Sequence, residues 1–144
     1  MHHTARPHPL PQPDPSAFAI QGGLLTLAFQ DALLFAALMA GVAPHPPAAV
    51  GPFIGALMAL ALRAAWSLRQ PGRAGHGLAL AVALLHLANF GPHKFFTEQG
   101  PLIAPMVAVG LALIVQTAWL AGRSLWLGRA PHDLPPLQPA PGRS

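Results

Sequence analysis

The stretch from Ala17 to Gly41 is long and apolar enough to cross a bilayer, and its single charge, Asp31, lies near the middle. A spanning helix needs about 20 residues. An ionised carboxylate at that depth costs about 3 kcal/mol or more, so it faces a partner or water rather than lipid. This one residue predicts a membrane helix with something polar beside it inside the protein.

Three further apolar segments follow. They cover about 48–67, after Pro44-His45-Pro46-Pro47, then about 75–91, after Gln70-Pro71-Gly72-Arg73-Ala74, and finally about 102–127. With the first, at about 17–41, they predict an all-α membrane protein. Its four transmembrane helices, joined by short connections, form an up-down bundle within 17–128. Only 8% of residues are charged against 53% hydrophobic. A soluble domain carries roughly 25% charged residues, so lipid must cover much of this surface. The first run is too long, and too acidic, for the apolar core of a cleaved leader.

Residues 1–16 and 129–144 are rich in proline, which removes backbone donors and enforces extended geometry, and both tails are expected to be disordered. Net charge is +4, but the basic residues are scattered at segment ends with no basic stripe, which excludes a nucleic-acid reading. Cysteine is absent, so there is no disulfide framework and no Cys-based metal or redox site. Seven of the eight basic residues are Arg, and Ala, Pro and Gly abound, as in GC-rich bacterial genomes.

Arginine sets the expected orientation. Arg63, Arg69 and Arg73 surround the second connection, Arg123 and Arg129 follow the fourth segment, and Arg6 precedes the first. The other two connections hold only Lys94. The positive-inside rule puts both termini in the cytoplasm, and Trp66 and Trp126 fall at those same ends, where indole favours the interface. The expected location is the bacterial inner membrane.

Small residues recur every four positions: Gly51, Gly55 and Ala59 lead to Arg63, Gly75, Ala79 and Ala83 to His86, and Ala104, Ala108 and Ala112 to Gln116. Because helices in lipid associate through small residues, these stripes are expected to face inward and bring their polar ends together.

A rise of about 1.5 Å per residue puts Asp31 about 20 Å from the cytoplasmic start of its segment and His86 about 16 Å from its own. The two share one level, with Gln30 and Asn89 flanking them, which predicts a buried polar cluster that either fixes helix register or handles protons. Imidazole is the side chain that changes charge near neutral pH. Arg63 and Gln116 come out nearer the cytoplasmic side, at about 6–9 Å.

The external loop Gly91–Pro101 carries His93, Lys94, Phe95, Phe96 and Glu98. Its phenylalanines suit an interfacial re-entry while Lys94 and Glu98 stay wet. The histidines match no metal-ligand spacing, haem would need a second deep imidazole, and Thr97 and Ser124 lack a base and an orienting acid. No cofactor, metal or catalytic site is expected.

In outline the chain resembles the small multidrug exporters, compact four-helix proteins with an acid in the first helix. It differs in having Asp for Glu, no tyrosine, a greater length and a proline-rich tail. It is also similar in architecture to small four-helix bacterial membrane proteins of the DoxX type. The leading expectation is a non-enzymatic accessory or scaffold unit in the lipid bilayer, as a homo-oligomer or within a larger membrane complex. The alternatives are a proton-coupled transporter or ion pathway centred on Asp31, and a redox or quinone-interacting subunit with His86 as the contact.

Overall fold

The computed structural model describes residues 15–43, 45–96 and 100–128. The tails expected over 1–16 and 129–144 lie outside the described residues, except that Pro15 and Ser16 already belong to the first helix. Glu98 and its neighbours Thr97 and Gln99 also lie outside.

Among the described residues all regular structure is helical. Helix α1 is Pro15–Ala40. A 3-10 turn, Ala48–Val50, leads into α2, Gly51–Ser67. Helix α3 is Arg73–Leu85, and after a break at His86 comes the short α4, Leu87–Phe90. A second 3-10 turn, Pro92–Phe96, precedes α5, Gly100–Leu127. Four stretches are long and apolar enough to cross a membrane: Pro15–Ala40, Ala48–Ser67, Arg73–Phe96 and Pro101–Leu127. They mark an integral membrane protein.

Local chemistry sets the boundaries. Pro15 opens α1 at a position where a missing N–H costs nothing. Gly41 closes the helix with φ of +63°, its N–H bonding Leu38 O at 3.2 Å while the Val42 N–H bonds Ala37 O at 3.1 Å. This paired closure satisfies two carbonyls that the helix leaves open, and the left-handed residue suits glycine.

Helix α1 packs on α2 and α5, and α3 packs on the same two. The start of α1 meets the end of α5, where Ser16 Oγ and Ser124 Oγ are 3.4 Å apart. At that end Arg73 Nη2 donates to Leu125 O at 2.9 Å, capping a last-turn carbonyl of α5 that has no intrahelical donor. One buried core joins Ile20, Leu24 and Ala28 to Ala61, Ala64, Ala79, Val82 and Ala121. A smaller one joins Leu27, Phe90 and Ile114.

Only one of the three small-residue stripes faces inward along its length. Gly75, Ala79, Ala83 and His86 are all buried. In α2 the stripe starts buried at Gly51 and ends exposed at Ala59 and Arg63. In α5, Ala108, Ala112 and Gln116 are exposed. Geometry explains the correction: at 3.6 residues per turn each step of four overshoots a turn by about 40°, so three steps swing about 120° around the helix. The faces that are buried alternate steps of three and four, as in Val107, Gly110, Ile114, Thr117 and Ala121. Gln116 also lies deeper than expected, eleven residues before Leu127, or about 16 Å along the helix.

Gly110 is the tightest apolar contact in this packing, because a Cβ there would come within 3.0 Å of three atoms of the buried Phe90. At Gly55 the same atom would meet nothing within 4 Å. Gly110→Ala is therefore expected to destabilise the protein by about 1–3 kcal/mol through overpacking. Gly55→Ala should leave it unchanged or slightly stabler. Thermal unfolding of both variants in detergent, followed by circular dichroism, checks the pair.

Candidate functional site

Asp31 and His86 are both completely buried and in contact, with His86 Nε2 3.0 Å from Asp31 Oδ2. Asn89 Nδ2 donates to Asp31 Oδ1 at 2.7 Å. His86 Nδ1 lies 2.8 Å from Val82 O. The site thus joins the middle of α1 to the break between α3 and α4.

Helix α3 ends next to the same histidine. Val82 O accepts the His86 backbone N–H at 3.1 Å and, in addition, the ring N–H. A side chain that bonds back into the i−4 carbonyl competes with the helix ladder and bends it. The chain resumes as α4, with Asn89 and Phe90 both bonding His86 O through their backbone N–H groups. Asn89 and Phe90 then point two ways: the carboxamide reaches Asp31, and the ring packs on Gly110 of α5.

The protons can be counted. A carbonyl only accepts, so His86 Nδ1 carries a hydrogen. The Nε2–Oδ2 contact then holds one more, either on nitrogen, as imidazolium beside carboxylate, or on oxygen, as neutral imidazole beside carboxylic acid. The pair has zero net charge in both forms. Each carboxyl oxygen and each ring nitrogen has a partner within the protein, which lowers the cost of keeping an acid at this depth.

Other polar groups lie outside this network. Gln30 is buried beside Asp31 in sequence, but its Oε1 makes no hydrogen bond among the described residues. Arg63 and Gln116 are exposed and join neither Asp31 nor each other. His93, Lys94, Phe95 and Phe96 form the 3-10 turn after α4, with Phe96 88% exposed. Two buried groups escaped the sequence reading. Thr117, on α5, lies so close over Gly23 of α1 that a Cβ at Gly23 would clash with its Oγ1. His76 holds a buried Nε2 without a bond among the described residues. Glycine opposite threonine on two apolar segments was the available signal for the first; nothing marked His76.

A cavity of about 760 Å³ adjoins the network. Asn89 lines it, together with His45 and Lys94 from the two connections and apolar side chains of α1, α2, α4 and α5.

No protein family, no characterised protein and no solved structure matches the chain.

Asp31→Asn should retain the fold, because an amide can donate to His86 Nε2 and still accept from Asn89. Asp31→Leu should cost about 3 kcal/mol by stripping the buried imidazole of its partner. The double variant Asp31→Leu with His86→Leu should lose less than the sum of the single changes. Chemical unfolding of the four proteins in one detergent, read as a double-mutant cycle, measures that coupling.

Proposed function

We propose that the chain is a non-enzymatic accessory or scaffold unit of a larger assembly in the bacterial inner membrane, folded as an up-down four-helix bundle with both termini in the cytoplasm. The observation that carries this reading is Gln116. It is exposed near the middle of an apolar 27-residue span, and its carboxamide makes no hydrogen bond among the described residues. Hydrocarbon offers nothing to an amide, whereas a second membrane helix does, and small residues beside it allow close approach. Ala108 and Ala112 are those residues; with Leu111, Val115 and Trp119 they line a groove of about 560 Å³ around Gln116.

Orientation is supported by the end at which Arg63, Arg69, Arg73 and Arg123 are all exposed. Arg69 stacks 4.7 Å over the ring of Trp66 there, a cation and an indole sharing the interface.

The Asp31–His86 pair, engaged at both carboxyl oxygens and both ring nitrogens, favours a register lock over a transport site. A carrier needs its carboxylate to exchange partners with a cation or with water, while Asp31 is wholly buried and engaged at both oxygens. The packed core between the network and the Arg-rich end supports the same reading.

In lipid bilayers at low protein density the wild type should associate, and Gln116→Leu should shift it toward single copies with an unchanged melting temperature. Single-molecule photobleaching reads this directly, and co-reconstitution of the purified complex covers a heterologous partner. A wild type that stays solitary in both settings contradicts the accessory role. Separately, proteoliposomes loaded with a pH-sensitive dye should show no proton flux beyond protein-free vesicles; flux that Asp31→Asn abolishes would establish the transporter instead.

A further inference from the structure

We infer that the cavity beside Asn89 is a binding site for a neutral, lipid-soluble molecule of the benzoquinone class, a flat oxygen-bearing ring on a hydrocarbon tail. This goes beyond the accessory role and does not depend on association through Gln116, which lies on a different cavity wall of α5.

The site lies beside the short helix that follows His86. Helix α4 is four residues long, and its Phe90 packs on Gly110. The space left between α1, α2, α4 and α5 is about 760 Å³, within the range of about 300–1,000 Å³ usual for small-molecule pockets. Leu34, Phe53, Ile103 and Met106 give it apolar walls. Phe53, on its wall, is 42% exposed, so part of the apolar lining reaches the surface of the span Ala48–Ser67.

Its polar groups select the head. Asn89 spends one N–H on Asp31 and makes no other side-chain hydrogen bond, so a second N–H and the amide oxygen remain. His45 Nδ1 lies 3.0 Å from Pro46 O, which only accepts, so that nitrogen carries the hydrogen and Nε2 is an acceptor on the neutral ring. Lys94 adds an ammonium to the lining. The set therefore both donates and accepts. Ring carbonyls would accept from Asn89 and Lys94, and the hydroxyls of the reduced form would donate to the Asn89 oxygen and to His45. Among the described residues the lining offers a lipophilic cation no carboxylate. A fatty acid, whose ionised head only accepts, leaves the acceptors of Asn89 and His45 unmatched.

The test is equilibrium binding of decylbenzoquinone to the purified full-length protein in detergent micelles, by titration calorimetry. We expect saturable binding at one site per chain. Ala88→Phe, which fills the cavity from an exposed position on its lining, should weaken it by about tenfold or more, while helical content and melting temperature stay unchanged. Ala81→Phe, exposed on α3 and outside the lining, should bind like wild type. Decanoate should fail to displace the quinone. Uptake no greater than partition into empty micelles would overturn the site. Equal displacement by decanoate would overturn the quinone assignment, as would full binding by a folded Ala88→Phe protein.

Discussion

The structure depends on one hydrogen held between Asp31 and His86. Without it, α1 would carry a bare acid through hydrocarbon and α3 an imidazole with an empty acceptor, each alone a reason not to pack. Together they form a couple of zero net charge whose remaining polar atoms are met by Asn89 and the Val82 carbonyl. Lipid supplies no hydrophobic drive between helices, so a polar contact of this kind, with close packing around it, is what specifies which helix faces which.

The half away from the two chain ends is arranged around His86. Its ring bonds back to Val82 O, which also keeps its ladder bond to the His86 backbone N–H, and α3 ends one residue earlier. Asn89 and Phe90 then leave on divergent courses, one completing the polar network and the other seating on Gly110. The half nearer the termini has no such interruption and is closed by small and branched aliphatic side chains, with Arg73 capping the end of α5. One buried contact thus separates a packed half from an open one.

Much of this was legible from residues alone. Four apolar lengths identify the spans, because hydrocarbon thickness and helical rise leave little freedom. A lone acid in the first span demands a partner, and counting rises finds His86 at its level; Asn89, one turn on, shares the face. What could not be read is which side of α2 and α5 looks inward. Alanine is equally at home against lipid and against protein, so a stripe of Ala104, Ala108 and Ala112 carries no address, and a strict spacing of four winds off any face. For that reason the stripe gives Gln116 the wrong face; its depth was legible, because the 102–127 segment itself leaves it eleven residues, about 16 Å, from the end. The break at His86 was invisible because neither proline nor glycine marks it. Phe90 on Gly110 and Thr117 over Gly23 are contacts between segments, specified by tertiary fit.

The most direct test of the central contact is solid-state NMR of the protein in bilayers, with histidine labelled by 15N and aspartate by 13C, and with His86→Gln used to assign the His86 signals. The account predicts a proton on Nδ1 and a dipolar contact between Nε2 and the Asp31 carboxyl carbon that matches the 3.0 Å nitrogen–oxygen separation. A His86 ring with bare Nδ1, or one that reorients freely with no coupling to Asp31, would contradict it.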